Sequence, residues 1–417
     1  MTTVFSTQSQ GIGGTLKYRY SDFLVEEIQP NGKPCEIKRF FGDTGLDNAT
    51  PIQAPEKPLD RAQSHLHCDL EKYNCDIPMA LAHLSRFLHV SKKRVGYAGL
   101  KDKRAITCQR ISLFDPDLKQ LERFRSRMMD LRNFEWSDQR IEIGDLSGNR
   151  FTITIRNIDL GRDEIQNRIN EFERQAETIG VANYFGEQRF GGIRQNTHLV
   201  GKLLLKGKLD EGILLYLTHL SEKESPELTE IRKKLAADHD FGFALKAFPQ
   251  KYRFERAMLQ HLHNNPNDYA GALQKLPKHL RYLFTHAWQS HLFNELLSKR
   301  MQSGIGLQPI PKDKIENGEI MHPLLGFDSI LDEGKLGALE QEVLIENDFS
   351  LPEFKSTKIP EISSAGSHRQ ISVKPKNWKT LAIQDDEYFP GKQKATVSFE
   401  LVKGTYATTV LNELMKN

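Results

Sequence analysis

Long hydrophobic runs are missing from this sequence. No stretch approaches about 18 uninterrupted apolar residues, so no transmembrane helix is expected. The start, Met1-Thr2-Thr3-Val4-Phe5, has no basic segment followed by an apolar one, so no secretory signal is expected either. Cysteine is scarce: Cys35, Cys68, Cys75 and Cys108 are the four among 417 residues, far too few for a disulfide scaffold. Free thiols in a reducing cytoplasm are the expectation. A metal site has little to build on. His65-Leu66-His67-Cys68, with Cys75 beyond, is the best candidate, but a strand would turn Cys68 to the face opposite His65 and His67. Phosphate-binding glycine motifs are also absent. There is no Gly-x-x-x-x-Gly-Lys-Ser/Thr loop and no Gly-x-Gly-x-x-Gly turn after a strand, which argues against nucleotide triphosphate or dinucleotide use.

A strong charge of one sign is lacking too. The 58 Lys and Arg nearly balance the 55 Asp and Glu, for a net charge of +3. Any affinity for a polyanion must therefore come from local patches. The cations do cluster, at Lys92-Lys93-Arg94, Lys101, Lys103 and Arg104, Arg123, Arg125 and Arg127, and Lys374, Lys376 and Lys379. With 38% hydrophobic and 27% charged residues, the chain reads as soluble and globular, and its length suits two or three domains.

Periodicity supplies the organisation. Residues 15–28 read as extended, with Phe23, Val25 and Glu27 on one face. Residues 42–62 read as a loop and 64–72 as a strand. Asp76, with Pro78 in the first turn, opens a helix running to Leu88. Residues 95–97 form a short strand entering a turn at Gly99, and 106–114 alternate as a strand. Residues 139–158 resemble a hairpin turning at Gly148-Asn149. Residues 162–178 look helical. Beyond about residue 195 helical patterns dominate: 203–220, 227–237, 254–263 and 282–300. Residues 302–380 mix short strands and loops. Residues 395–401 read as a strand, Gly404 as a turn and 407–415 as a closing helix. An α+β domain, an inserted largely helical region, and a terminal strand–helix returning to the first sheet account for this order.

Three segments carry chemistry. In Gly96-Tyr97-Ala98-Gly99-Leu100-Lys101-Asp102-Lys103-Arg104, a strand runs into a glycine turn and a carboxylate sits among three cations. Positive charge favours the ionised carboxylate, which can serve as nucleophile or base, and it also attracts phosphate. A solvated turn whose Asp102 caps the next element fits the same residues. In Asn183-Tyr184-Phe185-Gly186-Glu187-Gln188-Arg189-Phe190, aromatics alternate with groups able to read base edges or bind phosphate: Asn183, Phe185, Gln188 and Arg189. A buried strand edge would explain Phe185 and Phe190 equally. In the third segment, Lys17 precedes Asp22-Phe23-Leu24-Val25-Glu26-Glu27, which places an aromatic ring and a carboxylate on one face.

Together these segments resemble the TruD family of pseudouridine synthases (tRNA pseudouridine synthase D and its eukaryotic relatives). The matching motifs are Gly99-Leu100-Lys101-Asp102, Asn183 through Gly191, and Lys17 with Asp22, Phe23, Val25 and Glu27. Gly144 through Phe151, Ala287 through Asn294 and Gly404 through Val410 extend the likeness. Tyr20-Ser21 stand where the family usually has Pro-Glu. The resemblance implies the pseudouridine synthase fold, an α+β architecture with a mixed, largely antiparallel sheet. It also implies a discontinuous catalytic domain, 1–195 with 376–417, interrupted by an inserted α/β TRUD domain at 196–375. Asp102 would be the catalytic aspartate, and Lys17, Glu27, Asn183 and Phe185 match active-site positions. Phe23, Lys101, Gln188 and Arg189 are candidates to support the site or bind substrate. The substrate would be tRNA, with uridine 13 the usual target.

Isomerising uridine to pseudouridine conserves atoms and charge, so no cofactor or metal is expected. The reaction would run on a flipped base. Phe185 would stack on the uracil, Asn183 would hold Asp102 or the base, and Lys17 would pair with Asp102. Attack at C1′, removal of a C2′ proton and addition to C6 all remain open. No protein partner and no membrane are implied, and a cytoplasmic monomer is the expectation. A non-catalytic RNA-binding protein on the same fold would not need Asp102 and Lys17. An aspartyl-phosphate enzyme would want further carboxylates for Mg²⁺ beside Asp102, and none lies there. Lys275, Lys278 and Arg281 are candidate RNA contacts of the inserted region.

Overall fold

The computed structural model describes residues 4–47, 49, 51–58 and 64–417. Parts of the expected loop at 42–62 and the first residues of the chain lie outside this range. The alternating segments form strands: β1 (Phe23–Ile28), β2 (His65–Tyr73), β3 (Val95–Tyr97), β4 (Ile106–Phe114), β5 (Met129–Ser137) and β6 (Gly148–Ile158). They join Lys376–Asp385 and Gln393–Val402 in one eight-stranded sheet. Its order is Lys376–Asp385, Gln393–Val402, β6, β1, β4, β2, β5, with β3 also pairing on β4. β1 and β4 run parallel, with Leu24 opposite Ile106 and Glu26 opposite Cys108. The remaining pairs are antiparallel, so the sheet is mixed and largely antiparallel, as the resemblance implied.

The chain divides into two compact units, Thr7–Val181 with Val373–Asn417, and Met1–Ser6 with Ala182–Ser372. The first unit carries the sheet. Helix α1 (Ile77–Phe87) starts where the Asp76 carboxylate accepts from the Met79 amide at 2.8 Å, with Pro78 in its first turn. Its Ile77, Ala80, Leu81 and Leu84 cover the β2–β4–β5 end with Leu66, Leu70, Ile111 and Leu131. A short helix, α2 (Leu118–Glu122), closes the same end. Helix α3 (Arg162–Thr178) presents Ile165, Ile169, Phe172 and Ala176 at helical spacing to a second core. That core holds Phe23, Val25, Phe151, Ile153, Ile155, Val397 and Phe399 from the sheet, and Val410, Leu411 and Leu414 from the closing helix Ala407–Met415.

The structure corrects the expected hairpin at 139–158. Residues 139–147 form no strand, and Gly148-Asn149 lies inside β6, paired with Ile28 and Glu27 on one side and with Val402 and Leu401 on the other. Gly148 is needed for close approach rather than for a turn. A Cβ there would stand 2.2 Å from the Leu401 carbonyl oxygen.

The second unit is mainly helical: Thr197–Leu205, Leu209–Thr218, Pro226–Asp238, Phe241–Ala247, Arg253–Asn264, Tyr269–Gln274, Lys278–Gln302 and Gly334–Glu346. The expected single helix over 203–220 is two, broken at Gly207, whose φ of +74° leaves the helical region. Three strands, Lys314–Glu316, Glu319–Leu324 and Ser367–Gln370, form a small antiparallel sheet. Within the unit, Arg300 is fully buried and forks onto Asp313 at 2.7 Å, while donating to His322 Nε2 at 3.0 Å. Burial and the Arg300 charge push the His322 pKa down to about 3. Among the described residues, no helix is long and apolar enough to cross a membrane.

Candidate active site

The turn after β3 is tied to the strands on either side of it. Gly99 gives its carbonyl to the Gln109 side chain of β4 at 3.0 Å. Gln109 is itself held through its other amide atom by Lys72 Nζ of β2 at 2.9 Å. Lys72 is fully buried, and burial pushes its pKa down to about 8, with the neighbouring Lys101 charge adding to the shift. Lys101 turns inward and pairs with Glu27 of β1 at 2.6 Å; the two side chains are 3% and 0% exposed. The other Glu27 oxygen accepts from the Arg110 amide at 3.1 Å. The parallel β1–β4 pair thus anchors the turn from both strands.

Asp102 follows and faces outward, its side chain 26% exposed. Lys17 Nζ donates to its Oδ1 at 3.0 Å and lies 4.1 Å from the centre of the buried Phe23 ring. Lys17 has a φ of +56°, an uncommon backbone state for a lysine, and its carbonyl accepts from Arg104 Nε at 3.0 Å. The ring below, the strained backbone and the Arg104 tether together fix where the ammonium points. Lys17, Phe23, Glu27, Lys101 and Asp102 are therefore brought into one cluster within the sheet unit.

Asn183, Phe185, Gln188 and Arg189 lie in the other unit. The Asn183 amide group is engaged on both atoms: Nδ2 donates to the Gln370 carbonyl at 3.0 Å, and Oδ1 accepts from Arg369 Nη2 at 2.7 Å. Phe185 is clasped by Asn294 of the helix Lys278–Gln302. Asn294 Oδ1 takes the Phe185 amide at 2.8 Å and its Nδ2 gives to the Phe185 carbonyl at 3.0 Å. The Arg369 guanidinium sits 4.1 Å from the Phe185 ring centre and Arg189 5.4 Å from it, while Phe293 meets the ring edge-on. Arg189 Nε also donates to Ser290 Oγ at 2.9 Å. Gln188 is exposed on the single turn Glu187–Phe190.

Pattern reading did not assign roles to Lys72, Gln109, Asn294 or Arg369. Asn294 ends the Ala287–Asn294 segment that carried part of the family likeness, which was a usable signal. Lys72 and Gln109 sit in the interiors of ordinary-looking strands and gave none. His65 packs on Phe114, and His67 Nε2 bonds the Gln139 carbonyl at 2.7 Å.

The arrangement offers a part-exposed carboxylate paired with the Lys17 ammonium on a turn fixed at both ends. The family model described as tRNA pseudouridine synthase D (TruD) matches residues 2–318 and 310–414. A curated protein from Methanococcoides burtonii, named "Probable tRNA pseudouridine synthase D", is 32% identical over 99% of this chain and 95% of its own. One of the same name from Methanosarcina mazei is 35% identical over 99% of this chain and 95% of its own. A crystal structure of a TruD protein from Methanosarcina mazei is similar at a TM-score of 0.78 and 33% identity, covering 99% of this chain and 96% of that one.

Proposed function

The chain belongs to the TruD family, and from that premise we propose that it is a cytoplasmic tRNA pseudouridine synthase acting on uridine 13, with Asp102 as its catalytic carboxylate. The observation that carries the assignment of Asp102 is its ion pair with Lys17 at 3.0 Å, made while the carboxylate stays open to solvent. We further assign 1–195 with 376–417 as the catalytic domain and 196–375 as the family's insert, which falls almost wholly within the compact unit Ala182–Ser372.

In the reaction the N1–C1′ bond breaks, the uracil turns, and C5 bonds to C1′. The C5 proton leaves to solvent and N1 gains one, so nothing is oxidised and no group is transferred. The target nucleotide must leave its stack for the carboxylate to reach it. Lys17 aims Asp102, and Phe23 limits the positions Lys17 can take. Glu27 and Lys101 hold the turn. Phe185, ringed by Arg369 and Arg189, belongs to the substrate-binding part, with Asn183 fixing Arg369. Gln188 and Arg189 face RNA.

Tritium release from tRNA labelled at uridine C5 tests the reading. The protein as it stands should release tritium from position 13, and Asp102→Asn should bind the tRNA yet release none. Turnover retained by Asp102→Asn would overturn the assignment.

A further inference from the structure

The turn that buries Lys101 does the reverse with its neighbour. Leu100, two residues before Asp102, is 73% exposed, the most exposed position for an apolar side chain in this part of the sheet unit. It is not a loose side chain on a mobile loop, because the Gly99 carbonyl before it and the Lys101 side chain after it are both tied down. Ile143 is 69% exposed. Its segment is bound to the same turn: the Gly144 amide donates to the Ala98 carbonyl at 2.8 Å, and Ala98 packs with Ile141 and Leu146 beneath. Exposed cations stand beside the Leu100 turn, at Lys103 and Arg104, and Lys403 donates to the Gly144 carbonyl at 3.0 Å; around Ile143 the charge is mixed, with exposed Glu142 and Asp145 beside it and Arg140 paired to Glu142 at 3.2 Å.

One exposed aliphatic residue is unremarkable. Two of them, on segments hydrogen-bonded to each other beside a candidate catalytic carboxylate, with Lys103, Arg104 and Lys403 exposed nearby, match a specific task. A nucleotide that leaves its stack leaves a gap between its neighbours, and proteins that open stacks commonly fill such gaps with aliphatic side chains while cations hold the backbone.

We propose that Leu100 is a wedge that enters the RNA stack and occupies the space of the extruded uridine, with Ile143 supporting the flanking base. This rests on the uridine-isomerising reading above. Leu100 acts as a positioning residue: it favours the extruded state and performs no chemistry.

The test uses the full chain and an RNA stem-loop with 2-aminopurine beside the target uridine. Asp102→Asn protein, which binds without turnover, should raise the 2-aminopurine fluorescence as the stack opens. Adding Leu100→Ala should lose most of that rise. With Asp102 intact, Leu100→Ala should lower kcat/KM on the stem-loop by roughly tenfold more than on a short single strand, whose target is already unstacked. Leu100→Met should restore most of the loss, and Ile143→Ala should shift both readouts in the same direction. An undiminished fluorescence rise with Leu100→Ala, or equal losses on the two substrates, would overturn the wedge. Protein that opens the stack through Leu100 but forms no pseudouridine would overturn the catalytic reading and leave the wedge standing.

Discussion

Removing either partner of the Glu27–Lys101 pair should destabilise the protein with opposite pH slopes. The two side chains are 3% and 0% exposed and 2.6 Å apart, so neither charge can be left alone without cost. Lys101→Met strands a buried carboxylate, which can escape by taking a proton. From an ordinary Glu pKa of about 4.3, that escape limits the cost at pH 7 to about 3.7 kcal/mol. Glu27→Gln strands an ammonium, which can escape by losing a proton at a cost of at most about 4.6 kcal/mol at pH 7, from an ordinary Lys value of about 10.4. In Lys101→Met the stranded group has its folded pKa raised, so the folded state binds the extra proton and the deficit shrinks as pH falls toward 4.3. In Glu27→Gln the folded pKa is depressed, so the deficit shrinks as pH rises toward 10.4. Each slope should approach about 1.4 kcal/mol per pH unit. The double variant should be less destabilised than the sum of the singles and lack both slopes. Urea unfolding at a series of pH values measures all three. Because the pair also anchors the turn carrying Asp102, both singles should lose on the order of 10²-fold in kcat. Deficits within about 1 kcal/mol of zero, flat in pH and additive, would refute the anchoring argument.

Two further outcomes follow from geometry already given. Gln109→Leu removes the donor to the Gly99 carbonyl and leaves the Lys72 ammonium buried without its acceptor, so pseudouridine formation should fall about tenfold or more while tRNA binding holds, read by single-turnover kinetics beside a binding titration. His322 has its pKa pushed to about 3, so its unfolded form takes a proton that the folded form refuses. The stability it contributes is whole above about pH 6.5 and is lost as pH falls from there toward 3, so His322→Asn should flatten that part of an acid-stability profile.

Local pattern carried most of the sheet unit. Alternation marked β2 and β4, Asp76 with Pro78 marked the start of α1, and the spacing of Ile165, Ile169 and Phe172 marked α3. Glycine misled twice, for opposite reasons. Gly148 reads like a turn residue but serves the close approach of Leu401, a demand made by a strand more than 240 residues away in sequence. Gly207 was passed over inside an apolar helical run, where its +74° φ ends one helix before the next begins. The helix Gly334–Glu346 turns Leu336, Leu339, Val343 and Leu344 to its core, but a buried Glu340 and an exposed Ile345 blur that stripe in the sequence. At the candidate site, the Gly99–Asp102 turn and its cations are contiguous and visible. Lys72 and Gln109 reach it across strand pairings, and side-chain order within one strand does not reveal which residue meets which across the sheet.

The parting of the sheet by Ala182–Ser372 bears on how the chain acquires its structure during synthesis. The insert is continuous and can complete its own core once its last residue clears the ribosome. The catalytic half cannot: one edge of β6 waits for Gln393–Val402, and the amides of Ile12 and Gly13 wait for the carbonyls of Leu414 and Met415. Until the final few dozen residues emerge, β6 offers a bare hydrogen-bonding edge and half of an apolar core to any neighbouring nascent chain. A stalled or prematurely terminated product is thus a more serious aggregation hazard than its small loss of length suggests, and chaperone dependence should concentrate in that late interval.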